Sequence, residues 1–320
     1  MNGIYGNIEK KSAEAPINIF ETERVENSLG GAGNLCLNLK SLGIKFKFFS
    51  EIGNDKNGFK ILENLKKNKI NYNIVKLKKT TTLKKRFFFK NKQIFRQDIE
   101  NSNISKNLEK KILNNYNLGK LVIISDYNKG SIHKSLLDKL KKRKSLIFVD
   151  PKNKANIYKD VFLIKPNMEK FEEWCGKFNK KKAFNLLNSM NWHWLIISNN
   201  KNGVHVFNKS GQYNFYKVKT IQNPNVVGAG DIFFSGIIYN YLNNLDIFTS
   251  VELASYASSK CVAKEKIRKI EIKDFKKDTI FTNGVFDTLH KGHLDLLKFC
   301  KKIGKKTILA INSDKSVKLK

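Results

Sequence analysis

The sequence predicts a wound α/β domain with a small β lid, followed by an incomplete strand–turn–helix unit of nucleotide-binding type. Three observations predict it. Short apolar runs closed by turn residues alternate with amphipathic stretches of helical length. Two segments among the first hundred residues instead alternate like antiparallel strands. Glycine turns also open two later helices: Gly228-Ala229-Gly230-Asp231, and Asn283-Gly284 followed by His290-Lys291-Gly292-His293.

Taken in order, 17–27 (INIFETERVEN) and 80–98 read as the lid, the second a hairpin around Lys90-Asn91-Lys92. Core strands are expected at 46–53, 121–126, 145–150, 161–167 and 194–199, where β-branched and aromatic residues run together. Helices are expected at 33–42, 56–68, 131–143, 168–175, 180–190, 229–243 and 248–264. The charged stretch 266–278 reads as a linker, and 307–314 (TILAINSD) as the strand that returns after the second glycine turn.

Composition narrows the class. With 41% hydrophobic residues among 320, the chain can bury one large core plus a fragment. No run approaches the roughly 20 apolar residues of a membrane span, and the first residues contain no signal-peptide core, so a cytoplasmic location with no membrane partner is expected. Cys36, Cys175, Cys261 and Cys300 are scattered without a Cys-x-x-Cys pair, which points to neither zinc nor a disulfide framework. The net charge of +33 comes from lysines spread through almost every segment rather than clustered on one element. That pattern fits base-composition bias, with nucleic-acid binding only nonspecific and salt-sensitive.

The first phosphate site is 223–231 (NPNVVGAGD), ahead of an apolar helix. Gly228, Ala229 and Gly230 let backbone N–H groups converge at the helix start as an anion hole. Asp231, in the first turn, is placed to accept the proton of an attacking hydroxyl during phosphoryl transfer. The competing reading is an ordinary glycine-rich helix start with Asp231 as a capping acid.

The second lies in FTNGVFDTLHKGHLDLL, 281–297. His290 and His293 flank Gly292 at a helix start, where both imidazoles can donate to an α-phosphate, and Gly292 leaves room for close approach. A site for phosphoryl transfer and a site for nucleotidyl transfer on one chain can act in sequence, the phosphate placed by the first being joined to a nucleotide by the second.

The motifs Gly30-Gly31-Ala32-Gly33-Asn34, Gly53-Asn54-Asp55 with Gly58, and 228–231 resemble the ribokinase (PfkB) family of sugar kinases over about residues 1–265. Within it, Ser12 to Pro16, Ser125 to Gly130, Asp150-Pro151-Lys152 and Pro166-Asn167 resemble the bifunctional heptose 7-phosphate kinase/heptose 1-phosphate adenylyltransferases of ADP-heptose synthesis. The resemblance implies a sugar pocket at Gly30, Gly31, Asn34, Lys84, Arg86, Asp126 and Lys129. It implies ATP contacts at Asn167, Met168, Glu169, Lys170, Ser198 and Gly203, with Mg²⁺ as cofactor, and a homodimer through the lid. Residues 279–320 resemble the front of the cytidylyltransferase-like nucleotidyltransferases, with Asn283, Gly284, Phe286, Asp287, His290, Gly292 and His293 as site residues.

Departures accompany the likeness. Asn225 and Val227 stand where the family has Asp and Thr, and Lys170 ends the family's Asn-x-x-Glu. Lys170 is expected to pair with a phosphate directly, or Glu169 to be recruited by a one-residue shift. The family's opening strand, which ends in a sugar-contacting Asp, finds no match, and neither does the later half of the nucleotidyltransferase domain; adenylyl transfer by this chain alone is not expected. Two other readings stay open: a single-function sugar kinase with a vestigial tail, and a non-catalytic ATP- or RNA-binding protein.

Overall fold

The structure is a computed structural model that describes residues 2–90, 92–100, 106–114, 121–218, 228–263, 269–284, 286 and 288–311. It divides into two compact units, Met1–Lys40 with Ile44–Phe215, and Ser41–Gly43 with Tyr216–Lys320.

In the first unit the lid has one strand more than the sequence suggested. Strand β1 (Asn2–Lys11) pairs antiparallel with β2 (Asn18–Asn27) and parallel with β5 (Leu83–Phe89), whose hairpin partner is β6 (Lys92–Ile99). The order β2-β1-β5-β6 puts the unexpected strand inside the sheet. Its polar, glycine-interrupted sequence hides the period-2 signal, because only Ile4 and Gly6 turn buried positions inward. Gly6 is obligatory: a Cβ there would lie 2.0 Å from the Glu21 carbonyl oxygen. Register aligns Val25, Ile4, Phe87 and Phe95 on one face of the lid. Phe87 packs there against Phe20 and Phe95, with centroids 5.4 and 5.5 Å apart. Lys84 and Arg86 take the opposite face, as expected for positions i and i+2.

Helix α1 (Ala32–Ser41), β3 (Phe48–Gly53), α2 (Lys56–Lys67) and β4 (Tyr72–Leu77) follow the lid's first strands. β3 and β4 run parallel as their own two-stranded sheet over a small core of Leu29, Cys36, Leu65 and Ile70. Asp55 caps α2 by accepting from the Gly58 amide at 2.7 Å, and accepts from the Thr81 hydroxyl and amide at 2.7 Å each. One carboxylate thus starts a helix and fixes the root of the lid hairpin.

After α3 (Asn107–Leu113), the main sheet is built from β7 (Leu121–Ser125), α4 (Lys134–Lys142), β8 (Leu146–Asp150), β9 (Leu163–Ile164), α5 (Met168–Cys175), α6 (Lys180–Ser189), β10 (Trp194–Ser198), β11 (Val204–Asn208) and β12 (Tyr213–Tyr216). Its order is β12-β11-β10-β9-β8-β7, with β7 to β10 parallel and β7 at an edge. Phe148, Val149, Leu163, Ile164, Leu195, Ile196 and Ile197 are fully buried. Burial on both faces is why these strands read as continuous apolar runs. β9 shrinks from the expected 161–167 because Pro166 has no N–H for a ladder. Pairing persists in fragments, through Lys165 N–H to Val149 O at 2.8 Å and the bridge between Asn167 and Ser198.

In the second unit α7 (Ala229–Leu242) crosses α8 (Ile247–Val262) closely, since a Cβ on Gly236 would sit 2.8 Å from the Ala254 Cβ. The expected linker is not free chain where it is described. Ile270 and Phe275 are buried, Phe275 stacks on Tyr239 at 5.0 Å, and Asp274 and Glu271 form a capping box. Its apolar residues are masked in the sequence by the charges around them. Parallel strands β13 (Lys277–Gly284) and β14 (Gly304–Ile311) flank α9 (Lys291–Ile303), the strand–turn–helix the sequence predicted. Among the described residues no helix is long and apolar enough to cross a membrane, and the four cysteines are free.

Candidate active-site residues

The carboxyl ends of the parallel strands, where wound sheets bind ligands, carry several of the expected polar groups of the first unit. Asp126 follows β7, Asp150 ends β8, Lys165 and Asn167 follow β9, and Ser198 ends β10. The Asp126 amide donates to the Asp150 carbonyl at 3.0 Å, so these acids sit on adjacent strands. Burial pushes the Asp126 carboxyl above the usual carboxylate range, while the Tyr158 hydroxyl and the Asn128 amide, both donating to it, pull the other way. Asp150 is ion-paired to the buried Lys165 at 3.2 Å. Tyr158 and Lys165, unmarked in the sequence reading, are thus members of the cluster; no local motif points to them.

Asn167 caps α5, its side chain accepting from the Lys170 amide at 3.0 Å. The helix then presents Met168 and Phe171 inward, Glu169 to solvent, and Lys170 at the margin, paired with Glu173 at 2.5 Å. Recruitment of Glu169 by a one-residue shift finds no support: successive residues turn by about 100° around a helix, and the Phe171 anchor sets the phase. Gly203, at φ 109°, closes the turn before β11 and donates to the Asn200 carbonyl.

Of the expected sugar residues, Gly31 lies against Tyr127 and Arg86 feels its charge. Gly31, at φ 55°, opens α1, and a Cβ there would meet the Tyr127 ring at 3.2 Å. Gly30 and Asn34 belong to the same turn, through Gly33 N–H to Gly30 O and Asn34 N–H to Gly31 O. The lid cations divide. Lys84 is taken up by Asp98 and Glu100 at 3.3 and 3.0 Å, and Glu100 also accepts from Lys129. Arg96 holds Asp98 through two hydrogen bonds and keeps its carboxyl at a pKa of about 2. Arg86, half-buried beside Arg96, keeps its Nη1 buried with no hydrogen-bond partner among the described residues. Arg96, Asp98 and Glu100 were missed in the sequence, where a mixed-charge hairpin looks like any solvated one.

In the second unit Gly228 is the N-cap of α7 at φ 77°, with no side chain filling the cap. Among the described residues nothing lies within 4 Å of where a Cβ on Gly230 would be, and Asp231 is buried in the first turn. Asn225 and Val227 lie outside the described residues. At α9 the cap is His290, whose Nδ1 accepts from the Gly292 amide at 3.1 Å. That bond places the proton of a neutral His290 on Nε2, the donor an α-phosphate needs. The His290 and His293 rings stack at 3.9 Å, and the His293 ring packs at a tilt against Phe286 at 4.5 Å. The space left by Gly292 is filled by the His290 ring, 3.0 Å from where a Cβ would be. Asn283 and Gly284 end β13; Asp287 lies outside the described residues.

A wound parallel sheet with a strand-built lid, a glycine-capped helix holding a buried Asp, and an appended His-x-Gly-His unit define a ribokinase-like phosphotransferase fold joined to a nucleotidyltransferase motif. Residues 5–272 match the pfkB family carbohydrate kinases and 281–320 the cytidylyltransferase-like family, and the chain belongs to the pfkB family of carbohydrate kinases. It is 29% identical to the bifunctional protein HldE of a Nitratiruptor species, over 98% of this chain and 77% of that one. It is 30% identical to the bifunctional protein HldE of Helicobacter acinonychis, again over 98% and 77%. Ribokinase from Thermotoga maritima superposes with TM-score 0.69 at 18% identity, covering 86% of this chain and 94% of that one. Phosphofructokinase-2 from Escherichia coli gives 0.68 at 16%, covering 86% and 93%. Kinases of the family use ATP with a divalent cation.

Proposed function

We propose that the chain phosphorylates the anomeric hydroxyl of heptose 7-phosphate with ATP, the kinase step of ADP-heptose synthesis for the lipopolysaccharide core. Arg86 carries this reading. A half-buried guanidinium with an N–H unpartnered among the described residues, on the lid face that also holds Lys84, suits a sugar that brings its own phosphate. Asp231 takes the proton of the attacking hydroxyl as its oxygen bonds to the γ-phosphorus and ADP departs; the amides at 228–230 stabilise the charge on the moving group. By resemblance, His290 and His293 are residues of the later adenylyl transfer to heptose 1-phosphate, with pyrophosphate released, a step not proposed for this chain on its own.

Mg²⁺, expected from the sequence, does not fit the first unit's residues. Among the described residues no three acids, histidines or cysteines cluster, and the carboxylate of Asn-x-x-Glu is a lysine. No step here is routed through a metal. The apolar lid row, with Val25 and Phe95 exposed at 50% and 60%, supports a homodimer through that face, and dependence on ATP supports a cytoplasmic location. ATP-dependent phosphorylation of heptose 7-phosphate by wild type and Asp231→Asn tests the proposal. Equal rates would reduce Asp231 to a helix cap and end the kinase assignment.

A further inference from the structure

Resting on the nucleotide-site reading above, we infer that this chain binds ATP without a protein-held divalent cation, Lys170 contacting the phosphates where a metal-binding carboxylate is expected. Three observations converge. First, the neighbouring acids are already satisfied from within. Asp150 is paired to Lys165 at 3.2 Å, and Asp126 accepts from Tyr158 and from the Asn128 amide. Both oxygens of Asp126 are thus occupied and the charge of Asp150 is already balanced by an ammonium, which leaves little for a hard cation to take.

Second, the helix phase at α5 points the lysine, not the neighbouring acid, toward the strand ends. Glu169 is exposed, whereas the Lys170 side chain is 14% exposed and its charge acts on the Asp126 carboxyl. An ammonium held there repels a metal ion and attracts a phosphate. Third, the partner of Lys170 is easily given up. Glu173 lies at i+3 on the same helix with its side chain 60% exposed, a pair of the weakly held surface kind. Glu173 therefore holds the ammonium in place until an anion arrives, and water takes over the carboxylate when the lysine turns to the phosphate.

Equilibrium titration of the full chain with ATP in EDTA and with ATP in excess Mg²⁺ reads this directly, without turnover. The expected result is metal-free ATP bound at least as tightly as MgATP. Lys170→Glu should lose about tenfold or more in affinity for metal-free ATP, the scale of one charged hydrogen bond, and should bind MgATP better than ATP. Glu173→Gln should tighten metal-free binding a few-fold by releasing the lysine. A tenfold or greater gain on adding Mg²⁺ to wild type, or a Lys170→Glu protein indistinguishable from it, overturns the inference alone. No binding of either form by any of the proteins overturns the nucleotide-site reading along with it.

Discussion

The two helix starts of the second unit meet an anion in opposite ways. α7 opens on Gly228 in the left-handed region, with no side chain in the cap among the described residues, so backbone rather than a side chain forms this helix start. α9 opens on His290, whose ring consumes the Gly292 amide and leaves imidazole edges, rather than backbone, to face a phosphate. Backbone amides are fixed in place and suit a charge that must be met at one position. Imidazoles carry a proton whose position a hydrogen bond can set. The same motif class, a glycine turn before a helix, thus opens on bare backbone in one case and on a ring with a hydrogen-bond-set tautomer, His290, in the other.

The largest effect should come from Asp231, the acid beside the backbone-made hole. Asp231→Asn keeps size and capping ability but removes the base, so kcat should fall by roughly 10²- to 10⁴-fold while ATP affinity and thermal stability hardly move. A fall in stability instead would mark a structural Asp and break the comparison. Next comes the lid, proposed as a third anion site and made wholly of side chains. Arg86→Met should weaken heptose 7-phosphate binding by about tenfold or more, and Lys84→Met by only a few-fold, because Lys84 already serves Asp98 and Glu100. Equal losses would mean that the lid's internal pairs open on binding.

Smaller effects sharpen the contrast of the caps. Gly228→Ala should cost roughly 1–2 kcal/mol, the strain of a left-handed non-glycine residue, measured by denaturant unfolding. His290→Ala should cost about 1 kcal/mol as a lost cap, largely recovered by His290→Asn. The smallest concerns Asp98. Its hydrogen bonds from Arg96 depress the folded-state pKa from 3.8 to about 2, so its contribution is complete above the ordinary value and is lost as pH falls through about 2. Partial exposure screens it. Thermal unfolding between pH 5 and 2 should show a modest acid-side loss that Asp98→Asn abolishes.

Much of this was legible in the chain. The apolar runs marked β7, β8 and β10, and Asn167 announced the cap of α5 three residues ahead of the amide it holds. The phase that turns Glu169 outward could also have been read, from the stripe Met168, Phe171, Trp174 and Cys175. Other parts were not legible. Strand β1 is polar and broken by glycines, and acquires its place only from β2 and β5. The buried apolar residues of 269–278 were hidden among charges, and Tyr158 enters the Asp126 cluster from far along the sequence.

What the sequence determined by itself is whatever depends on near neighbours: strand and helix periods, caps such as Asp55 and His290, the glycine turns, and the family motifs that carry the chemistry. What only the tertiary structure decided is which charges are spent and which are left. Lys84 and Arg86 are equivalent on the strand, yet one is neutralised by Asp98 and Glu100 while the other keeps a buried N–H unpartnered among the described residues. Lys165 and Lys170 likewise look alike until the fold pairs the first with Asp150 and sets the second against an exposed Glu173. The reason is physical: period and capping act over a few residues, whereas an ion's worth depends on burial and on partners that arrive from distant parts of the chain.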